Sequence, residues 1–139
     1  MHKSAALPVE AAHLQVSARW IDLQARLMLV IEEVGAEHLQ CQLRSQGVRR
    51  PVTVANDLAK ELKGARAMAE SMGICVTDQA LHRRVHELPR SLNYQFNLRE
   101  LHRAYEALLA DSATSDEVSG WIKSRMSIHE FQLEQFGLH

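Results

Sequence analysis

The chain has 139 residues, 46% of them hydrophobic and 24% charged, and a formal net charge of −1 at pH 7. That balance excludes a disordered polar tail, and the length suits one domain whose core needs neither disulfides nor metal. Cys41 and Cys75 form no CxxC spacing and stand in apolar surroundings, so reduced, buried thiols of a cytoplasmic protein are expected.

The longest uninterrupted apolar run, Leu27 to Ile31, is far too short to span a bilayer, so no membrane partner is expected. The opening MHKSAALPVEAAHLQ lacks the continuous apolar core of a signal peptide. Charge is unevenly spread. Residues 44–66 carry six Lys/Arg against two Asp/Glu and residues 83–103 five against two, while residues 1–43 and 104–139 are net acidic. A polyanion would meet the basic middle, unless the acidic ends fold back over it.

Pro8 suits the first turn of a helix predicted from about Val9 to Val34. Leu14, Ala18, Ile21, Ala25 and Met28 form one apolar row, and Trp20, Leu23, Leu27, Val30 and Val34 a second. A stripe that wide belongs at the centre of a core or at a homodimer interface. Glu32 and Glu33 oppose the dipole at the helix end and hint at a partner.

The stretch 38–54 is ambiguous. His38 to Arg44 alternates, and Val48, Val52 and Val54 follow a turn-like Ser45-Gln46-Gly47, which permits a β-hairpin. A helix from Ala36 to Gln46 closed by Gly47 is also permitted. Because Pro51 spoils a paired strand, a helix through Gln46 and an extended segment from Val48 to Val54 are preferred. Arg44, Arg49 and Arg50 make that segment an arm for phosphate or a solvated loop.

Asn56 or Asp57 caps the next predicted helix, with Leu58, Leu62, Ala65, Met68, Ala69 and Met72 on one face. Gly64, about 1 kcal/mol less favourable than Ala inside a helix, marks a bend there. Gly73 then supplies a turn, Thr77 an N-cap, and Asp78 an acidic first turn. Leu81, Val85 and Leu88 make a buried seam, Gln79, His82, Arg83 and His86 point elsewhere, and Pro89 stops the helix.

The segment VTDQALHRRVHEL, with its capping residue, Ala-Leu pair and Arg-Arg pair, resembles the recognition-helix half of bacterial helix-turn-helix repressors and activators. The resemblance implies a helix-turn-helix-like stretch over 57–88 whose second helix meets double-stranded DNA. Ile74, Cys75 and Val76 make the turn longer than the compact motif has.

Arg90 to Phe96 reads as a loop in which Leu92, Tyr94 and Phe96 alternate. Three capping boxes follow. Asn97 with Glu100 opens a helix over 98–110, Thr114 with Glu117 one bearing Val118, Trp121, Ile122 and Met126, and Ser127 with Glu130 a short terminal one bearing Ile128, Phe131 and Phe136.

Catalytic patterns are not evident. His82 and His86 stand at metal-ligand spacing but no third ligand is fixed, the glycines are scattered singly, and no GxSxG occurs. No cofactor and no metal are expected. The sequence therefore predicts a mainly α fold, a compact multi-helix domain spanning 1–139 with a short extended segment or hairpin near 38–54.

Two functions follow. The first is a cytoplasmic, non-enzymatic DNA-binding regulator, able to dimerise in the manner of palindrome readers, that uses Thr77, Gln79, His82, Arg83 and His86 with backbone contacts from Arg49 and Arg50. The second is a protein-binding adaptor, chaperone or inhibitor acting through its helical surface and an aromatic C-terminal segment, Trp121, Phe131 and Phe136.

Overall fold

A computed structural model describes residues 9–35, 51–91 and 93–135. Among them run α1 (Val9–Gly35), α2 (Pro51–Ser71), α3 (Asp78–Glu87), α4 (Tyr94–Leu109) and α5 (Asp116–Gln135). The fold is mainly α, and the described residues contain no strand. No helix among them is long and apolar enough to cross a membrane.

Helix α1 is the axis of the packing, in contact with α2, α3 and α4. Its row Trp20, Leu23, Leu27, Val30 and Val34 lies in the main core with Leu58, Ala65 and Ala69 of α2, Leu98, Leu101 and Leu108 of α4, and Val118 and Ile122 of α5. Ala25 and Leu29, on another side of α1, form a separate cluster with Leu81, Val85 and Leu88. The row from Trp20 to Val34 thus serves the core, while of the other row Ala25 and Met28 pack in the second cluster and Ala18 is exposed. Glu32 and Glu33 find their partner in Arg90, at 3.1 and 3.7 Å.

The hairpin weighed for 38–54 falls largely outside the described residues. From Pro51 onward the backbone is helical, so residues 52–54 are not an extended segment. Proline unsuited to a strand is well placed in a first helical turn, where its missing N–H breaks no bond. Asn56 and Asp57 accordingly lie inside α2 rather than capping it.

Gly64 produces no bend, since α2 runs unbroken to Ser71. Its role is close approach: a Cβ there would stand 2.9 Å from Cζ2 of Trp121. The helix ends in a Schellman motif. Gly73, at φ +76°, donates to the Glu70 carbonyl at 2.9 Å, and Ile74 donates to that of Ala69 at 2.9 Å.

Other boundaries also differ from the sequence reading. Helix α4 begins at Tyr94, capped by Asn93, whose Oδ1 accepts from the Phe96 N–H at 2.9 Å. Asn97 is interior and buried, and its Nδ2 donates to the Ser91 carbonyl at 2.9 Å. Ser115 Oγ, not Thr114, accepts at the start of α5, while the Thr114 hydroxyl donates to the Leu108 carbonyl at 2.7 Å. Helix α5 then passes through Ser127 without a break. Ser127 faces solvent, while the inward row continues from Ile122 through Met126 to His129.

Candidate functional site

The polar side of α3 is built as the sequence suggests. Thr77 Oγ1 accepts from the Ala80 N–H at 3.1 Å, and Leu81, Val85 and Leu88 anchor the helix on α1. That seam leaves Gln79, His82, Arg83 and His86 exposed at i, i+3, i+4 and i+7, on one face. Thr77 is exposed too, with its hydroxyl engaged as the cap. His82 Nδ1–H donates to the Asp78 carbonyl at 2.8 Å, which leaves Nε2 as an acceptor.

The two arginines of the Arg-Arg pair have different surroundings. Arg84 turns back to Asp22 of α1, at 2.9 Å from Nε and 2.8 Å from Nη2, and reaches Glu87 at 3.3 Å. Its hydrogen bonds to Asp22 raise the pKa of its guanidinium. Asp78 is taken by Arg66 at 3.3 Å. Both acidic residues of α3 are therefore paired, while Arg83 enters no ion pair among the described residues. The turn does not dock α3 across α2: its apolar seam rests on α1 instead.

Arg49, Arg50 and Phe136 lie outside the described residues. Trp121 is half-buried against Gly64 and edge-on to Tyr105 at 6.1 Å, whereas Phe131 is 59% exposed and Ile128 38%. The expectation of buried thiols fails for Cys75, which is exposed in the turn between α2 and α3, because Ile74 takes the inward position of the motif that ends α2. His82 and His86 acquire no third ligand, and the described residues hold no cluster of three metal-ligating side chains.

A second constellation was not anticipated. Glu61 of α2 is buried and accepts from the Tyr105 hydroxyl at 2.5 Å, from Arg125 Nε and Nη2 at 3.0 and 2.8 Å, and from His129 Nε2 at 2.7 Å. His129, also buried, meets His102 of α4 with Nδ1 and Nε2 3.2 Å apart. Burial alone pushes the Glu61 carboxyl up, yet the bond and charge of His129, with Tyr105 and Arg125, bring it below its ordinary value. Burial and the Glu61 charge push the Tyr105 hydroxyl up. Burial, then the charge of His129, pushes His102 down against Glu130, Glu106 and Glu61.

Two shallow clefts flank this relay. One of about 260 Å³ is lined by Asp57, Lys60, Glu61, Trp121, Arg125 and Ile128; another of about 250 Å³ includes His102, Glu106 and Glu130. The sequence carried one signal for the relay: Glu61 and His129 occupy inward positions of otherwise apolar helical rows. Spacing alone does not connect three helices. The chain matches no family model, no curated protein and no solved structure.

Proposed function

We propose that the chain is a non-enzymatic regulator that binds double-stranded DNA through α3. The observation that carries this reading is the outward row Gln79, His82, Arg83 and His86, on a capped helix held against α1. A single helix fits the major groove, where Gln and Arg read base edges and imidazoles reach acceptors or phosphates. Asp78 is paired with Arg66, and Arg84 is shared between Asp22 and Glu87, so among the described residues Arg83 is the cation of α3 that no carboxylate engages. One such cation per helix among the described residues implies weak binding by a single copy, so a homodimer with two readers belongs to the proposal.

The test is fluorescence anisotropy of the full chain on randomised duplexes over a salt series. Binding is expected to weaken as salt rises. Arg83→Ala should reduce the log–log slope by about one per copy while leaving the folded state intact. Arg84 is unsuitable for this test, since removing it takes the nearer of two arginines from Asp22 and so disturbs the contact of α3 with α1. Absence of salt-sensitive binding to any duplex sinks the proposal.

A second reading, a protein-binding adaptor, rests on Phe131 and Ile128, which expose apolar surface on α5. It predicts that Phe131→Ser abolishes partner recovery in a pull-down while Arg83→Ala leaves it unchanged. The reverse pattern favours DNA.

A further inference from the structure

Helix α5 is held differently along its two halves. The first half buries Val118 and Ile122 in the core. From Lys123 to Phe131, the buried side chain is His129, with Met126 partly covered. Polar contacts tie this half down: Arg125 and His129 to Glu61 of α2, and His129 to His102 of α4.

Hydrogen-bond accounting sets how many protons the relay accepts. Ionised Glu61 only accepts, so Nε2 of His129 carries a proton. A neutral His129 then accepts at Nδ1, which makes Nε2 of His102 the donor and leaves a lone pair on its Nδ1. One added proton sits on that Nδ1, or is passed along the relay, with every bond retained. A second sets N–H against N–H across 3.2 Å and breaks the link.

We propose that the relay is an acid-operated clasp: the two imidazoles hold one added proton between them, and a second, or protonation of Glu61, releases residues 123–135 from α2 and α4. Charges on every packed element bear on this. Glu61 on α2 and Glu106 on α4 favour the first proton, as does Glu130 on α5. Arg125, sharing the Glu61 carboxylate, opposes the second. Asp57 and Lys60 at the rim on α2 offset one another, while Arg99 and Arg103 on α4 line the His102 cleft and disfavour any added proton. Tyr105 stays protonated throughout. Over residues 123–131 release forfeits little apolar burial, so it is expected to precede global unfolding.

The test is amide hydrogen exchange by NMR on the full chain, from about pH 7.5 to about pH 4.5, a range spanning ordinary imidazole and carboxyl titrations. Corrected for intrinsic exchange, protection over 123–135 is expected to fall about tenfold or more relative to the middle of α1, as a separate local opening does. His102→Gln, which keeps a donor toward His129 and does not titrate, should reduce that fall. Imidazole nitrogen shifts of the parent chain give a readout needing no variant, since release of α5 is expected to accompany the loss of the N–H to N bond between the two rings. Parallel loss of protection in α1 and α5 would overturn the clasp. So would an unchanged pH profile in His102→Gln, or both imidazoles becoming charged while α5 stays protected.

Discussion

Gln24 sits midway along α1, fully buried, with no partner for either amide atom among the described residues, one turn from Trp20 Nε1, which likewise has none there. A buried polar group without a partner costs about 1–3 kcal/mol, and an apolar replacement of similar shape avoids that. Gln24→Met is therefore expected to stabilise the chain by about 1–2 kcal/mol, seen as a higher urea midpoint at unchanged slope. A lower midpoint would mean that the amide is satisfied in solution. In the sequence, Gln24 falls between the two apolar rows, a polar residue inside the stripe. Packing of α2, α3 and α4 around α1 is what buries it. Arg83 and Arg84 teach the same lesson: adjacent identical residues, one exposed and one folded back onto Asp22.

Among helices, the well-read ones were those whose ends rest on local chemistry. Thr77 caps α3 through its own side chain, Gly73 closes α2 at positive φ, and Pro89 follows the last turn of α3. The misread ends were those where a local signal has competitors. Asn93 and Asn97 are both good caps, and Asn93 prevails because Asn97 reaches back to Ser91 from inside the helix. The Ser127–Glu130 box is locally valid, yet stopping there would break the inward row that runs through Met126 to His129.

Gly64 was read as a bend on propensity alone, when its meaning lies across the interface in Trp121. Replacing it with Ala sets a propensity gain of about 1 kcal/mol against a steric clash with the indole. Gly64→Ala is expected to destabilise by about 1 kcal/mol in the parent chain and to stabilise by about 1 kcal/mol in a Trp121→Ala background. A double-mutant cycle by denaturation measures this, and the same sign in both backgrounds would exclude the close approach as the reason for glycine.

For the molecule entire, the Glu61 relay joins α2, α4 and α5 and sets the response to pH. The folded-state pKa of His102 is lowered from 6.5, so the unfolded chain binds the proton first and stability falls as pH drops below about 6.5. Glu61 is lowered from 4.5, so its contribution is present above that value and disappears as pH falls further, through the folded pKa. Tyr94 and Tyr105 are raised from 10.0 by burial, then by Glu61, and their contribution is lost in alkali above about pH 10. Urea midpoints are expected to plateau between about pH 7 and 10 and to decline on the acid side first below pH 6.5. An acid decline starting only below pH 4.5 would remove His102 from the account.

Helix content, the apolar rows of α1, the seam of α3 and the outward direction of Gln79, His82, Arg83 and His86 follow from periodicity and capping, which act within a few residues along the chain. Neighbours distant in sequence decide the rest. The pairing of Arg84 with Asp22, the isolation of Gln24, the space Gly64 leaves for Trp121, and the meeting of Glu61, His102, Tyr105, Arg125 and His129 all depend on which helix faces lie together. The physical reason is range: hydrogen-bond and side-chain torsional preferences are local, whereas burial and ion pairing are properties of surfaces brought together by the fold.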